Sequence, residues 1–293
     1  MPPWSMISPA SRGIGFALAR RVLQTTNAPV VATARKDLDK TKEQLLEGLD
    51  IDEARLRVLK LDATGRWSRH CTLAQPGLFA VQSTTWPKLT TFADESTIAD
   101  AADTCKEHFK PGDHQLQLAF FVPGLLFPEK APAQIDAKDA LLTFQTNTLG
   151  PMLMIKHFSP FLPKKRAELD ENEEMKGLPH AASMAIMSAR VGSISDNKLG
   201  GWYSYRASKA GVNQVVKTFD NHLRTASGDK ALAVALHPGT VKTEFSKEFW
   251  GGVKKEKLFE KEWVAERLVD VVRQVGINGR GKCWDWDGKE VPP

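Results

Sequence analysis

An open, mostly parallel α/β sheet with helices on both faces, forming a single domain over residues 1–293, is predicted by three features of this chain. Short apolar runs alternate with segments of helical period, which is the order that builds a parallel sheet. The runs are apolar on both faces, as buried parallel strands are. A glycine-bearing loop stands between the first strand and the first helix, where such sheets hold nucleotides.

Trp4 to Ile7 reads as the first strand, and a helix follows from Gly13 to Thr26 with Ile14, Ala17, Leu18, Val22 and Leu23 on one face. Pro29 to Ala34 reads as the second strand, Arg57 to Leu61 as the third and Leu116 to Val122 as the fourth. Ala185 to Met187 lies in a fifth, Leu232 to Leu236 forms a sixth, and Lys282 to Trp284 closes the sheet. No repeat of 20 to 50 residues and no Pro/Gly/Ser linker divides the chain, so one domain is expected. Hydrophobic residues make up 42% of the chain, enough for a sizeable core.

Residues 65–93 break the pattern. Asp62-Ala63-Thr64 resembles a strand end and Asp94 to Ile98 a helix start, and joined directly they would make an ordinary short turn. The intervening 29 residues contain two Trp, two Pro and no acid. The segment reads either as a recent insertion or translated intron, or as a functional lid. The polar stretch Lys164 to Lys176 reads as a solvated helix extension or loop.

The net charge is +5, but residues 65–93 supply three of those charges through Arg66, Arg69 and Lys88. No aromatic-basic repeat or recognition helix accompanies the charge, so nucleic-acid binding is not expected. No apolar run is long enough for a membrane span, and Met1-Pro2-Pro3-Trp4 has no secretory signal character, so a cytoplasmic protein is expected. Cys71, Cys105 and Cys283 are widely spaced and odd in number, which suggests free thiols and no metal site.

Chemistry concentrates in Tyr205-Arg206-Ala207-Ser208-Lys209. One helical turn puts the phenol and the ammonium on one face. A neighbouring cation favours the phenolate and moves the tyrosine toward the working range, so the pair is a candidate general acid/base. Tyr203 has Ala207 one turn on and lacks such a partner. At the other end of the chain, Ser8-Pro9-Ala10-Ser11-Arg12-Gly13-Ile14-Gly15 lies where a dinucleotide pyrophosphate would meet the free N–H groups of a helix start.

The cradle and the Tyr205/Lys209 pair together resemble the short-chain dehydrogenase/reductase family, especially its carbonyl-reductase-like members related to C-factor and sniffer. The resemblance covers nearly the whole chain outside residues 65–93 and implies a Rossmann-type doubly wound sheet. Its glycine motif, Thr-Gly-x-x-x-Gly-Ile-Gly, is matched at Ser8, Gly13, Ile14 and Gly15, with Ser11 and Arg12 between, but its first glycine is Pro9. Proline fixes φ and removes an N–H. Arg12, and Arg35 just after the second strand, suit the 2'-phosphate of NADP(H), where an acidic residue would suit NAD.

Further roles are implied by the same resemblance. Asp62 matches an adenine-contacting aspartate, and Asn147 matches an asparagine that completes a water-linked proton relay. Pro238 to Thr243 resembles the segment that holds the nicotinamide carboxamide, through Val241 and Thr243. Only Gly124 survives of the usual Asn-Asn-Ala-Gly, replaced here by Phe121-Val122-Pro123-Gly124. The family's oxyanion-binding serine falls at Ala189; Ser193 is the first choice to replace it and Ser188 the second.

The expected activity is interconversion of a small-molecule carbonyl and alcohol with NADP(H), Tyr205 acting as acid/base and Lys209 as ribose clamp. The competing expectation is a non-catalytic NADP(H)-binding sensor or scaffold, motivated by Pro9, Ala189, the lost Asn-Asn pair and the insertion. Glu244 to Trp263 reads either as a substrate lid, with Phe245, Phe249 and Trp250 in contact, or as an amphipathic surface helix. A homodimer or homotetramer is the family's usual assembly.

Overall fold

The computed structural model describes residues 1–62, 95–168 and 173–293, so the atypical segment 65–93 lies outside the described residues, as does Cys71. The seven strands expected from the sequence are present: β1 (Pro3–Ser8), β2 (Val30–Ala34), β3 (Leu56–Lys60), β4 (Gln115–Phe121), β5 (Ala182–Met187), β6 (Ala231–His237) and, near the end, β9 (Cys283–Asp285). Among the described residues, three short strands were not anticipated: β7 (Thr240–Val241), β8 (Leu258–Phe259) and β10 (Glu290–Val291). The main sheet runs β10-β9-β6-β5-β4-β1-β2-β3, while β7 and β8 pair separately. All neighbours in the main sheet are parallel except the antiparallel β9–β10 pair.

Alternation along each strand explains why the sheet is covered on both faces. Leu118 and Phe120 of β4 face one core and Ala119 and Phe121 the other; Leu232, Val234 and Leu236 of β6 likewise oppose Ala231, Ala233 and Ala235. Against one face lie α1 (Gly13–Thr25) and α7 (Lys261–Val275), with Leu18, Val22, Leu268 and Val272 buried. The other face receives α3 (Glu95–His108), α5 (Gly150–Phe158) and α6 (Tyr203–Ala226). Helices α2 (Leu38–Leu46) and α4 (Ala137–Phe144) complete the set, and a π turn over Gln145–Leu149 joins α4 to α5.

Aromatic side chains anchor the second face. The Trp4 ring stacks on Phe109 at 4.7 Å and meets Phe161 edge-on at 5.3 Å. Such pairs add about 0.5–1.5 kcal/mol beyond the area they bury. Of the stretch Lys164 to Lys176, the described residues form turns and a short 3-10 helix at Glu173–Met175, and 169–172 lie outside the described residues. Cys105 and Cys283 are buried free thiols.

An ion pair ties α6 to the β6 side of the sheet. Arg280 Nε donates to Asp220 Oδ1 and Oδ2 at 2.9 and 3.0 Å, both side chains being almost fully buried. Asp220 Oδ1 also accepts from the Ala233 N–H, and Arg280 donates to the Gly228 and Ala231 carbonyls. Asp220→Ala, which leaves the buried guanidinium only the exposed Asp229 carboxylate at 3.7 Å, should destabilise the fold by about 3 kcal/mol. Urea unfolding should show this as a lower midpoint at unchanged slope.

Candidate active site

The crossing from β1 to β4 is where the strand order reverses, and the loops that follow the strands there lie at the carboxyl edge of the sheet, where folds of this kind hold their ligands. Residues after β1, β2, β3, β4, β5 and β6 all reach this edge, which brings together most of the positions singled out by sequence. Main-chain bonds hold the first loop. Ala10 N–H donates to the Thr33 carbonyl at 2.8 Å, and Val122 N–H to the Ser8 carbonyl at 2.7 Å. Ser8 is buried, and its hydroxyl accepts from Thr33 Oγ1 at 2.8 Å.

Ser11 and Arg12 stand exposed at the start of α1, which has no side-chain cap. Its first N–H groups are therefore unclaimed by a capping side chain. Gly13 adopts φ +60°, a left-handed conformation that suits glycine, and a Cβ there would sit 3.7 Å from Thr243 Cγ2. A Cβ on Gly15 would fall 1.9 Å from the Pro9 carbonyl oxygen, so only glycine fits. Ile14 is half-buried behind them. These positions form a compact cradle of main chain, of the kind that admits phosphates.

Arg35 follows β2 at the surface, and Asp62 follows β3, where its N–H donates to Thr97 Oγ1 at 3.1 Å. After β6, Val241 lies in β7 with its carbonyl accepting from Ser246 Oγ and, at 3.4 Å, from Thr243 Oγ1. Among the described residues no group of three or more His, Cys, Asp and Glu side chains is placed to hold a metal ion.

Tyr205 and Lys209 occupy the buried face at the start of α6. Lys209 Nζ donates to the Met187 carbonyl at the end of β5, at 2.8 Å, and lies 5.8 Å from the centre of the Tyr205 ring. Burial pulls the Lys209 ammonium down to about 7. It also pushes the Tyr205 phenol up from its ordinary value. The expectation is that the neighbouring cation carries the phenol toward neutrality; in the protein alone, burial of the phenol acts in the opposite direction.

Asn147 sits in the π turn, fully buried. Its Oδ1 accepts from the Leu125 N–H at 2.7 Å, and its Nδ2 donates to the Leu125 carbonyl at 2.8 Å and to Ser208 Oγ at 3.0 Å. The carboxamide therefore clamps the loop after β4 to α6, one residue short of Lys209.

The two serines are turned to other work. Ser188 Oγ donates to Asn213 Oδ1 at 2.6 Å and to the Lys209 carbonyl at 3.3 Å. Ser193 Oγ donates to the Pro293 carbonyl at 3.2 Å and accepts from the Asp196 N–H at 3.1 Å. The loop that carries both is fastened to the far side by Arg190, which bridges Asp196 and Asp285. Ala189 stands between them with an extended backbone and no hydroxyl to offer.

Two contributors escaped the sequence reading. Glu129 is 3% exposed, and its carboxylate accepts the Ser204 N–H at 2.7 Å and the Ser204 hydroxyl at 2.5 Å. It caps α6 from a distant loop, since the helix has no side-chain cap of its own. Trp202, the residue before α6, has φ 51° and ψ 48°, a left-handed conformation that costs a non-glycine residue about 1–2 kcal/mol. The only local hint is Gly200-Gly201 before it, and Glu129 gives none. Of the aromatic stretch after β7, Phe245 lies 6.2 Å from the Tyr205 ring and Phe249 5.1 Å from Trp202. Trp250 folds back to donate to Ser246 Oγ, and Trp263 belongs to α7, packed on Phe259 and Trp286.

No protein-family model matches the chain. It is 32% identical over 181 residues to 1-hydroxy-2-glutathionyl-2-methyl-3-butene dehydrogenase of Rhodococcus sp. strain AD45, covering 62% of this chain and 69% of that protein. It is 29% identical over 164 residues to C-signal of Myxococcus xanthus, covering 55% and 83% of the two chains. Its fold is similar to that of an NADPH-bound carbonyl reductase from chicken fatty liver, with a TM-score of 0.73 at 24% identity over 99% of this chain and 98% of that one. The match to the Rhodococcus dehydrogenase over two thirds of its length, on a sheet of this order with Tyr205 and Lys209 at its carboxyl edge, places the chain in the short-chain dehydrogenase/reductase family.

Proposed function

We propose that the protein is an NADPH-dependent reductase that interconverts a small carbonyl compound and its alcohol. The observation that carries this reading is the pairing of a buried phenol and a buried amine on one helix face, beside a main-chain cradle. The cradle fits a dinucleotide pyrophosphate: α1 is uncapped, and Gly15 has no room for a Cβ. Arg12 and Arg35 would hold the 2'-phosphate, Asp62 the adenine side, and Val241 and Thr243 the nicotinamide side. When bound, NADPH supplies the hydride.

The chain's own residues manage the proton. With its ionisation pushed up by burial, Tyr205 stays protonated and donates to the carbonyl oxygen as that oxygen gains negative charge. The Lys209 amine binds the ribose, and when protonated its charge opposes the rise in the phenol. Asn147 fixes the loop after β4 and, through its place in the π turn, supports a relay toward Lys209.

Ser193 and Ser188 are weaker candidates for carbonyl polarisation, because both hydroxyls already have partners. The same observation, with Ala189 between them, favours a second reading in which NADPH binds without turnover. Relatives named as a dehydrogenase and an NADPH-bound carbonyl reductase support the first.

Tyr205→Phe should lower kcat on a carbonyl panel by about 100- to 10,000-fold, followed as NADPH absorbance loss, with NADPH binding retained. Tight NADPH binding by the wild type with no turnover on the panel would establish the second reading. Fluorescence titration should show tighter binding of NADPH than of NADH, and Arg35→Ala should weaken NADPH binding by about tenfold or more, as loss of a charged hydrogen bond does.

Lys209 also sets a pH dependence. Its amine titrates near 7 in the folded protein and at its ordinary 10.5 when unfolded, so between those values the unfolded chain holds more protons. Stability therefore gains from this group as pH rises from 7 toward 10. Lys209→Met should remove that gain, seen as a flatter difference in urea midpoint between pH 7 and 8.5 than in the wild type.

A further inference from the structure

We infer that Trp202 is a specificity-determining residue of this site, and that the carbonyl compounds it selects carry an aromatic ring next to the C=O. The inference rests on the reductase reading above.

The backbone gives the first reason. Gly200, Gly201 and Trp202 form a run of three left-handed residues, with φ of 64°, 67° and 51°. Glycine adopts that conformation without steric cost, and a bulky indole does not. A strained residue persists only where its surroundings over-determine it, and such residues gather at binding sites. Here the surroundings are explicit. Trp202 N–H donates to the Glu129 carbonyl at 2.6 Å, and the Trp202 carbonyl accepts from the Arg206 N–H at 2.8 Å. Arg206 Nε donates to the Gly200 and Gly201 carbonyls, and the Glu129 carboxylate binds Ser204 in the first turn of α6. Glu129 is thus a positioning residue for Trp202, and its charge is spent on the helix end.

The rings give the second reason. The indole stands edge to face with Tyr205, centroids 6.1 Å apart and planes at 78°. The Phe249 ring is tilted against the indole at 5.1 Å, and Phe245 flanks the Tyr205 ring at 6.2 Å while reaching within 3.7 Å of a Cβ position on Gly124. Phe245 remains 44% exposed, a large apolar surface left open beside the phenol. A flat, uncharged ring attached to the reacting carbon can pack against this cluster of rings, with Phe245 exposed beside the phenol, better than a short aliphatic chain can.

The test compares benzaldehyde with propanal, using the full chain and NADPH, for the wild type, Trp202→Gly, Trp202→Phe and Trp202→Leu. Glycine fits the left-handed position but gives up the indole's contacts with Tyr205 and Phe249, so the folding of every variant is first verified by thermal unfolding. The benzaldehyde-to-propanal ratio of kcat/KM should fall about tenfold in Trp202→Gly, the size of one lost pocket contact. Trp202→Phe should keep most of the ratio, and Trp202→Leu, which retains bulk without a π face, should lose it. If Trp202→Gly does not fold, the Phe/Leu pair decides the matter alone. A ratio unchanged in the Gly and Leu variants, or equal losses on both aldehydes, would overturn the inference while leaving the reductase reading standing. A wild type that consumes NADPH with neither aldehyde would remove the reductase reading and this inference together.

Discussion

The site depends on how closely α6 approaches the end of β5 at Lys209. Three contacts converge on that residue: its Nζ reaches the Met187 carbonyl, its own carbonyl accepts from Ser188 Oγ, and its backbone passes Gly192 so tightly that a Cβ there would lie 2.7 Å from the Lys209 carbonyl carbon. Glycine at 192 is a packing requirement, since its φ is not in the left-handed region. The approach places the amine inside the protein and brings Tyr205, one turn earlier, to the sheet edge.

Burying an amine and a phenol side by side without a compensating carboxylate is costly, because the protein has removed water from both. The response is visible in their titration, the amine drawn down and the phenol pushed up, so that near neutrality both groups lean toward their uncharged forms. A carboxylate is close in sequence to neither, yet Glu129 is buried nearby and spends its charge on the first turn of α6. That arrangement fixes the helix end without neutralising Lys209. The rigid frame thus comes from groups one step removed from the buried phenol and amine, and the amine itself is held by the Met187 carbonyl.

The strands were legible because burial on both faces leaves a continuous apolar run, and the alternation in β4 and β6 shows why each residue in that run is needed. The cradle was legible because its glycines act locally: Gly13 through its own φ and Gly15 through a contact only six residues away. Glu129 and Trp202 were not. Glu129 acts across 75 positions of sequence, and nothing in Pro128-Glu129-Lys130 distinguishes a buried cap from a solvated acid. Trp202 depends on that same cap. The serine question was unreadable for a related reason: the partners of Ser188 and Ser193 are 25 and 100 positions away, at Asn213 and Pro293.

The departures from the family's pattern are easier to understand once the main chain is seen to do most of the holding. Pro9 lacks an N–H, but the bonds that fix the first loop are made by Ala10 N–H and the Ser8 carbonyl, and Pro9 contributes its carbonyl as the wall against Gly15. Phe121, where an asparagine is usual, is buried against Phe158 at 6.2 Å, so an apolar contact holds the end of β4. Val122 keeps the sheet's main-chain bond to Ser8, and the next polar demand, at Leu125, is met in full by the Asn147 carboxamide. Ala189 is different in kind. Where the resemblance implies an oxyanion-binding hydroxyl this chain has a methyl group, and the nearby Ser188 and Ser193 hydroxyls are bonded to α6 and to Pro293. The departures at Pro9, Phe121 and Val122 therefore leave the main-chain framework intact, whereas at Ala189 the nearby hydroxyls are already bonded elsewhere.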